Sequence, residues 1–372
     1  MKFYKCAHNF HSMRISFYIL ILSHIAFLLH SDIALSQDTI KKKTPLRPDS
    51  NFIVSYPQDI TLGIYTASPL MQVVITPVSS ELDKYRSDFR GNFSDQLGFL
   101  FSYRGISISA GFKTPFGKKS EPEKGRTVST GITLKVKKPN YLITAEYRRY
   151  SGYYDNNAPN YTALPDGSYY VRSDVQYKNI GVNGVYNFSW KKYSYNAPLT
   201  FNDRQLKSRI GFITKAGINY LTINSSDSTL LTETQTSQFT SFNSITSIHA
   251  LLLKAGPGVG LNIVVFKRFY FAFNYFLMGN FIQYNYSTET AGTSVWYTNA
   301  NIYTETALGF GYNSRRLFAG FSANGDINVM RIQGANVRTN FASVVMTLGY
   351  RFNSPAFFTK GWDKTVGRLK KS

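Results

Sequence analysis

Ala342-Ser343-Val344-Val345-Met346-Thr347-Leu348-Gly349-Tyr350-Arg351-Phe352 changes character at every second residue. Ala342, Val344, Met346, Leu348, Tyr350 and Phe352 fall on one face, and Ser343, Val345, Thr347, Gly349 and Arg351 on the other. A period of two is a β-strand with one apolar face. Working back along the chain, the pattern recurs at Val128, Thr130, Ile132, Leu134 and Val136, at Ile106, Ile108, Ala110 and Phe112, and at Leu97, Phe99, Phe101 and Tyr103. A β-sandwich needs strands of only about five or six residues. Many runs here are long enough for the ~9–11 residues of a tilted strand that crosses a bilayer. Candidate strands lie at 60–75, 92–103, 106–113, 126–137, 141–154, 171–188, 208–221, 246–265, 269–286, 297–312, 317–330 and 339–352. Only a closed barrel satisfies strand backbone groups in lipid. The expected fold is therefore all-β, a single antiparallel up-and-down transmembrane β-barrel of about 12 strands.

The connections support this reading. Residues 104–105, 138–140, 266–268 and 313–316 are short joints, whereas 76–91, 114–125, 155–170, 222–245, 287–296 and 331–338 are longer. Short and long alternate, with one exception at 189–207, as the inner turns and outer loops of outer-membrane barrels do. Aromatic pairs gather at the short-joint end: Phe101 with Tyr103, Tyr186 with Phe188, Phe269 with Phe271, Phe310 with Tyr312, and Tyr350 with Phe352, together with Tyr141. Amphipathic rings favour the membrane interface. The exceptional segment alternates at Tyr193, Tyr195, Ala197, Leu199 and Phe201, but Pro198 would remove a ladder donor. It reads as a periplasmic excursion or plug-like segment, with an extra strand as the alternative.

At the N-terminus, Arg14 precedes an apolar run over 15–29, and Ala34-Leu35-Ser36 fits a signal-peptidase site. The expected organisation is a signal peptide at 1–36, a periplasmic segment at 37–59, the barrel at 60–352 and a basic periplasmic tail at 353–372. Export to the outer membrane of a Gram-negative cell follows from it. The one cysteine, Cys6, lies in the leader, which excludes a disulfide scaffold and a cysteine-rich metal site. His8, His11, His24 and His30 leave with the leader, so only His249 remains and no metal or cofactor is expected. Charged residues are 17% and aromatics 16% of the chain, which excludes disorder and a coiled coil.

The formal net charge is +21, from 42 basic and 21 acidic residues. For an exported barrel, the matching partners are outer-membrane lipid and lipopolysaccharide phosphates, or small anionic solutes, rather than nucleic acid. Part of the excess sits in Lys41 to Lys43 and in Lys360, Lys364, Arg368, Lys370 and Lys371, read as solvated, mobile ends.

The core Lys192-Tyr193-Ser194-Tyr195, then Ala197, Phe201 and Arg204-Gln205-Leu206-Lys207-Ser208, resembles a family of Bacteroidetes outer-membrane proteins filed as a domain of unknown function. Ser55-Tyr56-Pro57 and Gly152-Tyr153-Tyr154 are similar to its other landmarks. The resemblance spans about 50–352. It implies an outer-membrane β-barrel and no particular activity.

Strand parity places Lys113, Lys135, Arg148, Lys215, Lys254 and Arg351 inside the barrel, against Glu146 and Glu305. Glu146 is expected to pair locally with a base of its own or the neighbouring strand, and Lys254 with Glu305. Two functions follow. One is a small porin-like pore whose basic lumen favours anions. The other is a non-conducting structural or interaction barrel with a salt-bridged lumen, acting through its loops and periplasmic segment. The chain is not expected to be an enzyme. A lipid hydrolase would have to use His249 with Ser247 on the same face, and would need a third group to orient the imidazole. Gly256-Pro257-Gly258-Val259-Gly260 lacks the ending of a phosphate loop and reads as a strand bend with glycines facing in.

Overall fold

The computed structural model describes residues 46–77, 79–114, 121–165, 168–226, 229–239, 241–290 and 292–369. The chain divides into Met1–Leu46 and Arg47–Ser372, and the barrel lies in the second unit. The expected leader, its cleavage site and Lys41 to Lys43 fall outside the described residues.

Among the described residues, twelve long strands form the wall. They are β1 Asp59–Pro77, β2 Gln96–Tyr103, β3 Ile106–Lys113, β4 Val128–Lys138, β5 Tyr141–Asp155 and β6 Tyr170–Asn187. They continue as β7 Arg209–Ser225, β8 Ile245–Val265, β9 Phe269–Thr288, β10 Tyr297–Asn313, β11 Leu317–Ile332 and β12 Ala335–Asn353. Each pairs antiparallel with its neighbours in sequence. β12 returns to β1 in an unbroken ladder from Ala335 opposite Pro77 to Asn353 opposite Asp59, which closes the ring. A closed ring leaves no wall edge to seek another strand. Leu70, Phe99, Ile132, Phe212, Ile302 and Met346 point outward and are all more than half exposed. An apolar outer wall over a closed antiparallel sheet is the architecture of a transmembrane β-barrel.

Two expected boundaries shift. The connection between β11 and β12 is not a loop over 331–338 but the two-residue turn Gln333-Gly334. Both residues have positive φ, 44° and 73°, the backbone that a two-residue hairpin turn requires and glycine supplies without strain. The inner-facing apolar side chains Met330, Ile332, Ala335 and Val337 carry the ladder up to that turn. β2 starts at Gln96 rather than 92, because Asn92 turns its carboxamide to the carbonyls of Glu121 (2.7 Å) and Gly125 (2.6 Å) in the next long loop.

The tail also departs from expectation. Residues Ala356–Leu369 form a helix packed on the outside of the barrel at its short-turn end. Phe358 and Trp362 meet Tyr103 edge-to-face at 5.2 and 5.1 Å, and Arg104 pairs with Asp363. Tyr103, expected at the exposed girdle, is therefore buried. Lys360 and Lys364 are exposed as expected, but on an ordered element; Lys370 and Lys371 lie outside the described residues. No helix among the described residues is long and apolar enough to cross a membrane. Edge-to-face rings contribute about 0.5–1.5 kcal/mol beyond their buried area. Trp362→Ala should therefore release the helix and speed tryptic cleavage after Lys360 and Lys364 several-fold in the folded protein, on the order of tenfold per ~1.4 kcal/mol of docking lost. Unchanged cleavage would show that other contacts hold the helix.

Candidate functional site

The interior has three layers. At the long-loop end, inward-facing Val73, Ile75, Tyr150, Val175, Tyr177, Leu221, Ile223, Ile248 and Ile282 meet Phe89, Phe93, Leu230, Leu231, Phe239 and Phe242 from the loops. These side chains form a continuous apolar core inside the wall. The inward face is thus apolar here, not polar or small as it is lower down.

At the short-turn end, residues 193–205, most of them buried, lie inside the mouth. The short strand Asp203–Gln205 pairs with Ile53–Ser55, so two of the sequence landmarks, Ser55-Tyr56-Pro57 and Arg204-Gln205, come together there. The third landmark stands at the other end, where Gly152 (φ +85°) makes a bulge in β5 and Tyr153 is buried. The alternative reading of 189–207 as a further wall strand is excluded by the closed ring.

The segment is bonded to the wall from several sides. Tyr193 donates its hydroxyl to Asn274 Oδ1 (2.8 Å), Asn262 donates to the Ser194 carbonyl (2.9 Å), and Asn202 donates to Ser102 Oγ (2.7 Å). Lys137 pairs with Asp203, and Asn313 donates to the Asp203 carbonyl at 3.0 Å. A Cβ at Gly260 would stand 1.9 Å from the Tyr193 hydroxyl, so the inward glycine makes room for the plug. Burial pushes the phenols of Tyr193 and Tyr195 well above their ordinary pKa. Arg351 is the central clamp. It donates Nε to the Phe201 carbonyl (2.8 Å), Nη1 to the Ser314 carbonyl (2.7 Å) and Nη2 to Asn313 Oδ1 (2.7 Å). Phe201 sits at φ +54°, unusual for a non-glycine residue, and stacks on Phe318 at 4.4 Å. Arg351 is thus fully buried and holds the plug instead of facing a channel.

Between these closures lies a cavity of about 380 Å³. Lys135, Glu146, Arg148, Lys215, Lys254 and Glu305 all line this cavity. Lys113 shares the inward parity, opposite Gln96, but stands exposed at the outer end of β3 and does not line the cavity. One carboxylate was missed. Asp326 of β11 also lines the cavity, 4.0 Å from Arg148. The balance at the cavity is therefore four cations to three carboxylates, not six to two.

The pairing departs from expectation at Glu305, while Glu146 pairs within its own strand. Arg148 binds Glu146 at 2.6 Å and lies over the Phe341 ring at 4.1 Å. Glu305 pairs with Lys215 at 2.5 Å, not with Lys254, which instead sits 4.2 Å from the centre of the Tyr303 ring. Among the described residues, neither Lys135 nor Lys254 has a carboxylate within ion-pair distance. The glycine-bearing stretch of β8 is strand, as read, with Gly256, Gly258 and Gly260 on the inward parity.

His249 faces out through the wall. Its Nδ1 lies 3.1 Å from the Tyr220 hydroxyl and its Nε2 3.4 Å from Ser247 Oγ. Asn285 stands opposite it in the ladder. Among the described residues, no carboxylate holds the ring, and a phenol orients an imidazolium far more weakly than a carboxylate does.

Together these features define a membrane barrel of twelve strands, plugged at one end, filled by its own loops at the other and charged in between. Residues 47–352 match the family described as Domain of unknown function (DUF4421), and the chain belongs to that family. Comparison with curated proteins finds no match. Among solved structures, the chain is similar to the outer membrane protease OmpT from Escherichia coli, with 10% identity, a TM-score of 0.36, and 80% of this chain and 98% of that one covered. It is also similar to the toluene transporter TodX of Pseudomonas putida, with 10% identity, a TM-score of 0.24, and 84% and 100% covered. For the translocator domain of the autotransporter NalP from Neisseria meningitidis the values are 12%, 0.29, 78% and 88%. At such scores none of these proteins assigns a role to this chain.

Proposed function

We propose that the chain is an outer-membrane barrel of a Gram-negative, Bacteroidetes-type cell, exported by a cleaved leader, and that its resting form does not conduct. It acts as a structural or interaction barrel. The long loops face the outside, and the plug, the residues before β1 and the C-terminal helix face the periplasm. The carrying observation is the double closure: the Arg351-clamped segment at one end and the apolar loop core at the other. The short-turn and long-loop asymmetry supports the orientation. The reading is not enzymatic, because the contacts around His249 lack a strong orienting group.

Reconstitution in planar bilayers tests it. The intact protein should hold the baseline at voltages where porins conduct, and it should co-fractionate with outer membranes. Steady open-channel current from the intact chain would count against the closed reading. A second reading rests on Lys135 and Lys254, two interior lysines without carboxylate partners: a gated passage for small anions that opens when the plug leaves.

A further inference from the structure

On the outer surface of β1, β11 and β12, toward the long-loop end, the wall gives way to polar and charged residues. Along β1 the outward residues run Ile64, Thr66, Ser68, Leu70, Gln72 and then the buried Val74; along β11 they run Ile327, Val329 and then Arg331. On β12, Asn340 opposes Gln72, Arg338 opposes both Val74 and Val329, and Asn336 opposes Arg331. The short strand Ser87–Arg90 adds to β1 at this level, with Arg90 opposite Gln72. A groove of about 540 Å³ opens between them, lined by Arg86, Arg90, Arg338, Asp83, Asp88 and Gln72 among others, with Arg331 beside it on β11 and outside its lining.

The charges do not cancel. Asp88 is taken by Arg90 (2.8 Å) and Asp83 by Arg86 (2.5 Å). Arg331 and Arg338 are both exposed, and among the described residues neither has a carboxylate within ion-pair distance. Three arginines against two aspartates in the lining leave the Arg338 guanidinium in excess, and Arg331 stands diagonal to it across the β11–β12 pair, on the same outer face as the apolar residues. A guanidinium stays charged at any physiological pH and presents a fork that matches phosphate oxygens. The apolar residues directly below would meet acyl chains.

We propose that this groove is a binding site for the phosphorylated headgroup of a glycolipid in the outer leaflet. Its acyl chains lie along Leu70, Ile327 and Val329, and its phosphate is held by Arg338 in the groove and by Arg331 at the groove's edge. Arg86 and Arg90, fixed by their aspartates, line the groove as further donors. This site rests on the outer-membrane reading and on the long loops facing outward.

The test uses the purified full chain in detergent. The probes are bisphosphorylated lipid A, the same lipid stripped of phosphate, phosphatidylethanolamine and inorganic phosphate. Retention of lipid A is read by native mass spectrometry and by competition. Bisphosphorylated lipid A should bind on the order of tenfold or more tightly than the stripped form, and Arg331→Gln with Arg338→Gln should remove that preference. The double variant must keep the wild-type gel shift of unboiled protein, which shows that the barrel is intact. Equal binding of phosphorylated and stripped lipid, or an unchanged preference in the double variant, would overturn the site. Displacement of lipid A by millimolar inorganic phosphate alone would overturn the glycolipid as occupant. Because the readout is binding in detergent, its failure is separable from a failure of the chain to reach the outer membrane.

Discussion

Arg351→Ala should turn a silent barrel into a flickering conductor, and deleting residues 190–206 should hold it open. The guanidinium bonds two backbone carbonyls and one carboxamide oxygen inside the mouth, and each acceptor left buried without a donor costs about 1–3 kcal/mol. The Phe201 backbone, held in the left-handed region, has its own tendency to relax once the clamp is gone. Opening one end exposes the charged cavity, but current also needs a path through the loop core. That core includes Leu230, Leu231, Phe239 and Phe242 from the connection between β7 and β8, a less regular segment than the wall. Single-channel recording should therefore show brief, variable openings for Arg351→Ala and longer ones for the deletion. Selectivity should be weak and anionic. Four cations and three carboxylates line the path, an excess of one, so the reversal potential in asymmetric chloride should lie well short of the ideal anion value. A silent deletion variant that still shows the gel shift of a folded barrel would mean that the loop core alone seals the lumen. The plug would then be a docking element and not a gate.

The wall was legible in the sequence because lipid enforces it. A strand that faces hydrocarbon on one side must alternate, and a one-residue slip would invert every side chain, so parity identified the twelve strands within a few residues. The interior is under weaker constraint. Asp326 follows Ser322-Ala323-Asn324-Gly325, where small residues occupy both faces and the alternation fades, so the third cavity carboxylate left little signal. The pairing of Lys215 with Glu305 joins strands 90 residues apart and depends on the barrel's stagger, which periodicity does not report. Arg351 carried the correct parity but the wrong role. Parity says that a side chain points in, not what fills the space it enters. The plug was suspected from Pro198 and the broken loop rhythm, but its wall partners are single asparagines and serines such as Asn202, Ser102, Asn262 and Asn274, which carry no periodic signature. The C-terminal helix was hidden by its lysines. Phe358 and Trp362, four residues apart, were the signal for a face that packs on Tyr103.

Glu305→Leu should be the most damaging single change in the cavity, and its cost measures whether the lumen is dry. Glu305 accepts from Lys215 at 2.5 Å and from the Tyr303 hydroxyl at 3.4 Å. Removing it leaves Lys215 as a third lysine without a carboxylate, beside Lys135 and Lys254, in a space of about 380 Å³. In a sealed cavity, breaking such a pair costs about 3–5 kcal/mol, because the remaining ammonium has lost both its partner and its water. The variant should then convert from the compact to the extended gel form at a clearly lower temperature or urea concentration. Replacing both partners, Lys215→Met with Glu305→Leu, should restore most or all of the loss, since a buried ion pair and a well-packed apolar pair are often of similar stability. If the cavity is instead filled by exchanging water, both charges stay hydrated, the single variant loses only the ~0–1 kcal/mol typical of an exposed pair, and the double variant gains nothing over it. The size of the rescue therefore discriminates between the two readings of the interior. A large penalty with full rescue belongs to a closed, non-conducting barrel, whereas a small penalty belongs to a wetted chamber in which Lys135 and Lys254 are free to meet an anion.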